Sequence, residues 1–72
     1  MRPKPSKPKA VERVVKKQGF VESGGAGSHR VYKHPDGRRI TIPFHAKDIK
    51  IGTLRQIVSD MGITTEDFNK LV

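Results

Sequence analysis

Ser28-His29-Arg30-Val31-Tyr32-Lys33-His34-Pro35-Asp36-Gly37-Arg38-Arg39-Ile40-Thr41-Ile42-Pro43 is the stretch whose reading decides the fold. Pro35-Asp36-Gly37 is a tight turn, in which proline presets φ and glycine accepts a positive one. On either side of it, apolar and polar residues alternate with the period of a half-buried strand. Ser28 to His34 and Arg38 to Pro43 are therefore expected to form an antiparallel hairpin. Alternation puts His29, Val31 and Lys33 on one face and Arg30, Tyr32 and His34 on the other. Tyr32 carries the larger apolar area and is assigned to the core with Ile40 and Ile42, its hydroxyl reaching the edge of a thin layer. His29 then shares the open face with Lys33, Arg39 and Thr41.

Outward from the hairpin, Phe20 to Ser23 reads as a short first strand cut by Gly24-Gly25-Ala26-Gly27. Before it, Val11, Val14 and Val15 recur at helical spacing, with Glu12, Arg13, Lys16 and Lys17 on the other side. This helix ends near Gly19. After the hairpin, Phe44 to Lys50 is a loop. Leu54, Ile57, Val58 and Met61 form a second apolar helical stripe, beginning around Gly52-Thr53 and stopped by Gly62. Thr64 is placed to cap a short third helix, with Asp67 three residues on and Ile63 and Phe68 stapling its start. The fold class is α+β: a helix, a three-stranded antiparallel sheet, a helix and a short C-terminal helix, in two layers. Residues 1–8, where prolines alternate with charges, are expected to be a flexible basic lead-in; residues 9–72 are the domain.

The chain has 72 residues, no cysteine and 33% apolar residues. That is one small domain with no disulfide framework and no thiolate metal site. No apolar run exceeds two residues, so neither a membrane span nor a signal-peptide core is present in it. These features fit a cytoplasmic protein without a membrane partner. Fifteen Lys and Arg against seven Asp and Glu give a net charge of +8. Met1 to Arg39 carries eleven bases and three acids, and from Ile40 onward four bases balance four acids. Such polarisation attracts polyanions, above all phosphate backbones.

Three histidines are the side chains able to give and take a proton near neutral pH. His29 follows a glycine-rich loop through which a polymer backbone can approach closely, and Ser28 beside it can orient the imidazole or bond a phosphate oxygen. A flexible hairpin loop followed by an ordinary exposed histidine accounts for the same residues without chemistry. His34 and His45 read first as polar residues flanking a turn and lying in a loop. No set of histidines and carboxylates has metal-ligand spacing, so neither a metal nor another cofactor is expected. The glycine run lacks the Lys-Ser/Thr ending of a nucleotide loop, and no nucleophile elbow is present.

Gly27-Ser28-His29, Tyr32 to Arg39, Thr41-Ile42-Pro43 and Lys50-Ile51-Gly52-Thr53-Leu54-Arg55-Gln56-Ile57, in that order and spacing, resemble the HicA family of toxin mRNA interferases. The resemblance covers roughly Lys9 to Val72. It implies a double-stranded-RNA-binding-like fold and a toxin endoribonuclease of a toxin-antitoxin system, neutralised by a HicB-type antitoxin. Its Gly-Ser-His motif implies that His29 is catalytic. The Pro-Lys lead-in precedes the usual start of such domains, and Ile51 stands where a proline often precedes the Gly-Thr-Leu helix start. His29 is then expected to act as general base on a ribose 2′-hydroxyl or general acid on the leaving 5′-oxygen, without a metal. Gly27, Ser28, Arg30, Lys33 and Arg39 are the candidate contacts to RNA, with His34, His45, Ser28 or water as the second proton-transfer group. The competing readings are a noncatalytic RNA-binding module of the same fold and a purely protein-binding module.

Overall fold

The computed structural model describes residues 1–45 and 47–72. The elements run α1 (Pro8–Lys17), β1 (Val21–Ala26), β2 (His29–Lys33), β3 (Arg39–Pro43), α2 (Ile51–Met61) and α3 (Thr65–Leu71). The three strands form one antiparallel sheet in the order β1-β2-β3. The expected α+β architecture is thus the observed one.

Each helix is set by local chemistry. Pro8 stands at the start of α1, where its missing N–H costs nothing, and Lys16 and Lys17 occupy the last turn, where cations suit the helix dipole. Gly62 closes α2 in the left-handed conformation, φ 79°. Thr64 caps α3 by accepting a hydrogen bond from the Asp67 N–H at 3.0 Å. Val11, Val14 and Val15 of α1, Leu54, Ile57, Val58 and Met61 of α2, and Phe68 of α3 are buried against Tyr32, Ile40 and Ile42 of the sheet. Burial of side chains of this size is worth about 1.5–3 kcal/mol apiece before entropy is counted.

Tyr32 is fully buried, as the alternation demands, and its hydroxyl donates to the Glu12 carboxylate. Glu12 was expected on the solvated side of α1. Instead its side chain is only 13% exposed, held between Tyr32, Lys16 (3.7 Å) and Arg30 (3.6 Å). The Tyr32 hydrogen bond and these two cations hold the Glu12 carboxyl below the usual carboxylate range, against an opposing effect of burial. Burial and the Glu12 charge together push the Tyr32 phenol upward, so it remains a donor.

Arg38 locks the Pro-Asp-Gly turn onto α2. It bonds Asp36 at 2.8 Å, donates to the Met61 carbonyl at the helix end, and lies 5.1 Å from the centre of the Phe20 ring. The Arg38 backbone N–H and guanidinium keep Asp36 below its ordinary value.

Two expectations are corrected. The first strand does not stop at the glycines: β1 starts at Val21, after the buried Phe20, and runs through Gly24-Gly25 to Ala26. A register shift between Glu22 and Gly25 accommodates them as a bulge. At Gly25 the reason is steric, since φ is 136° and a Cβ would stand 2.1 Å from the His29 carbonyl oxygen. The lead-in, in turn, is not free of the fold. Pro3 and Ser6 are buried, Lys4 N–H donates to Asn69 Oδ1 at 2.7 Å, Asn69 Nδ2 donates to the Arg2 carbonyl at 2.9 Å, and Ile49 N–H donates to the Ser6 carbonyl at 3.0 Å. A proline-rich segment has few conformations to lose, so a handful of backbone hydrogen bonds holds it.

Gly25→Ala should lower stability by about 2 kcal/mol or more, because a strained φ and a backbone clash coincide; chemical denaturation measures it, and a change below about 0.5 kcal/mol would show that the bulge yields. Glu12→Gln should cost about 1–2 kcal/mol at neutral pH, the worth of hydrogen bonds to a charged group. Since the folded-state value of Glu12 is depressed, its contribution is present above the ordinary carboxylate range and disappears as pH falls through the depressed value. Urea melts of both proteins should therefore converge in acid; a gap independent of pH would contradict the role given to the ionised carboxylate.

Candidate functional site

The hairpin register builds the site. Lys33 pairs with Arg39, Tyr32 with Ile40, Val31 with Thr41, Arg30 with Ile42 and His29 with Pro43. His29 therefore starts β2 beside the point where the chain leaves β3 for Phe44 and His45. The Phe44 N–H donates to the Ser28 carbonyl at 2.7 Å and holds that departure in place. The imidazoles of His29 and His45 then lie 5.6 Å apart, centre to centre, with their planes inclined by 58°.

Both histidines open onto a cleft of about 390 Å³. Thr41 and Pro43 of β3 form one side; Asp48, Ile49 and Lys50 of the following loop and Thr53 of α2 form the other. Ile49 is buried and anchors the loop through its hydrogen bond to Ser6. Asp48 and Lys50 bring opposite charges into a cleft holding two exposed imidazoles, side chains able to give and take protons.

The sequence-derived candidates divide. His29 is in the cleft, and His45 is brought to it. Gly27 and Ser28 form the two-residue turn between β1 and β2, and Ser28 contributes its carbonyl to the Phe44 hydrogen bond. Arg30 faces the helices: its guanidinium ion-pairs with Glu12 at 3.6 Å and lies 4.2 Å from the centre of the Phe44 ring. Lys33 and Arg39 are exposed but sit at the far end of the strand pair, about 13 Å along β2 from His29 at the usual rise per residue. None of these three lines the cleft; the Lys or Arg that does is Lys50. His34 is elsewhere too, edge-on to Phe20 at 5.1 Å with its Nδ1 3.0 Å from Asp36.

Lys50 and Asp48 escaped because loop residues carry no periodicity, and Thr53 because it lies off the apolar stripe of α2. His45 had a usable signal: counting pairs outward from the Pro-Asp-Gly turn sets His29 opposite Pro43, two residues before His45. Among the described residues, no group of three histidines or carboxylates could hold a metal ion. Nor is any helix long and apolar enough to cross a membrane.

A comparison with curated proteins gives no match. The family model for the HicA toxin of bacterial toxin-antitoxin systems matches residues 8–63, from the first residue of α1 to just beyond the end of α2. The match contains the sheet, both histidines and the whole cleft, and covers most of the 72 residues. Family and fold thus agree, and the chain belongs to the HicA toxin family, whose place in toxin-antitoxin systems implies an antitoxin partner.

Proposed function

We propose that the protein is a cytoplasmic endoribonuclease toxin that cleaves mRNA with His29 and His45 as the paired general base and general acid, and that a HicB-type antitoxin neutralises it. The observation that supports this best is the pair of imidazoles in one cleft beside Lys50. Two proton-transfer groups at this separation can each reach an oxygen of the same phosphodiester. One neutral imidazole takes the proton of the ribose 2′-hydroxyl as its oxygen attacks phosphorus. The other, protonated, gives its proton to the 5′-oxygen as the P–O5′ bond breaks. The products are a 2′,3′-cyclic phosphate and a free 5′-hydroxyl, and the two imidazoles regain their starting states by proton exchange with water. Lys50 opposes the charge that develops on the nonbridging oxygens. No step requires a metal ion.

The noncatalytic alternative keeps the same cleft and lets the histidines contact ribose and phosphate without moving protons. Incubation with RNA in the presence of a chelator separates the two readings. The nuclease produces strand scission, whereas the binding module shifts the RNA on a gel and leaves it whole.

His29→Ala and His45→Ala should each slow metal-free cleavage by about 10² to 10⁴, the usual worth of a positioned proton-transfer group. Both should remain folded, since both histidines are exposed. The pH-rate profile of the unmodified protein should be bell-shaped, and each single variant should lose one limb. Wild-type rates in His29→Ala would remove the catalytic assignment altogether; wild-type rates in His45→Ala would return the second role to water.

A further inference from the structure

A second cleft lies on the other side of the loop that follows β3. Its volume is about 470 Å³, and it is lined by Lys7, Pro8 and Lys9 from the lead-in and the start of α1, and by Phe44 and Lys47 from the loop. The loop is a shared wall: Pro43, His45 and Asp48 line the histidine cleft, while Phe44 and Lys47, interleaved with them, line this one. The two clefts are therefore adjacent, and a chain bound across His29 and His45 brings its neighbouring nucleotides close to the second.

The lining has a specific chemistry. Three lysines surround one aromatic ring, all three are exposed, and among the described residues none has a carboxylate within ion-pair distance. Their charge is therefore available to an outside anion. Phe44 lines the cleft and is held by the Arg30 guanidinium, 4.2 Å from its ring centre, and by its backbone bond to Ser28. The backbone leading to Lys7 is anchored by the hydrogen bonds of Arg2 and Lys4 to Asn69 and of Ser6 to Ile49, and Lys9 stands in the first turn of α1. Cations set beside an aromatic ring are the lining that single-stranded nucleic acid uses, with bases stacked on the ring and phosphates on the cations.

We propose that this cleft is a subsite for a nucleotide flanking the cleaved bond of single-stranded RNA, its base against Phe44 and its phosphates held by Lys7, Lys9 and Lys47. The assignment rests on the nuclease reading for which bond is cleaved, and on this cleft alone for the contact. It makes Lys7, which precedes the residues that the family model matches, part of the substrate-binding surface.

The test is fluorescence anisotropy with a labelled single-stranded oligoribonucleotide of roughly twelve nucleotides, a length within the range of single-strand sites. The full chain is used in a His29→Ala background so that the probe stays whole. Lys7→Ala/Lys9→Ala/Lys47→Ala should weaken binding and flatten the log-log salt dependence by about 2, at about 0.7 for each lost phosphate contact. A control triple, Arg13→Ala/Lys17→Ala/Lys70→Ala, removes the same charge elsewhere and should flatten it much less. Phe44→Leu should weaken binding about fivefold or more with the salt slope unchanged, since it removes a base stack and no charge. Circular dichroism establishes that Phe44→Leu is folded; should it unfold, the two lysine triples decide alone.

Equal effects of the two triples would overturn the subsite. So would equally tight, Phe44-independent binding of a poly-glutamate of the same length, which would mark a surface for an acidic protein. Loss of binding confined to the cleft variants supports the subsite even if the unmodified protein proves unable to cut RNA, in which case only the nuclease reading falls. Intact cleavage with no difference between the triples sinks the subsite and leaves the nuclease standing.

Discussion

The Glu12 carboxylate, set between α1 and the sheet, is the interaction on which the site depends. It accepts from the buried Tyr32 hydroxyl and draws Arg30 across the edge of the core. Arg30 in turn lies against the Phe44 ring, and the Phe44 backbone is bonded to Ser28, next to His29. A chain of contacts thus runs from the first helix to the loop that carries His45. A carboxylate so placed is costly unless fully paired, and here a phenol and two cations pair it. The benefit is positional: two histidines from different segments are presented at a defined separation by a domain with a small core.

The positive charge sorts by what each cation touches. Arg38 is spent on the turn and the end of α2, Arg30 and Lys16 on Glu12. Lys50 faces the histidine cleft, and Lys7, Lys9 and Lys47 face its neighbour. Lys33 and Arg39 remain at the far end of the open sheet face. Of the fifteen Lys and Arg, three are thus committed to carboxylates within the fold and four line the two clefts.

The elements legible in the sequence are those set by neighbours in the chain. Pro35-Asp36-Gly37 dictates its turn, the apolar stripes of α1 and α2 dictate which faces are buried, and Tyr32 follows from strand parity. His29 was legible through the resemblance of its motif, not through loop chemistry. What escaped depends on contacts between distant residues. The glycines of β1 look like an interruption until the His29 carbonyl is seen pressed against Gly25. Glu12 looks solvated until Tyr32 reaches it. Arg30 stands among the expected RNA contacts although strand parity sends it to the face opposite His29, and the ion pair with Glu12 keeps it there.

The docking of Arg2 and Lys4 onto Asn69 joins two distant parts of the sequence. The side chain that fastens their two backbone groups lies more than sixty positions further along the chain, beyond the residues that the family model matches. Ser6 is held separately, by the Ile49 N–H. A cut between α2 and α3 would therefore free Arg2 and Lys4 from Asn69 without touching the Ser6 hydrogen bond, and the segment would stay tethered at one point instead of two.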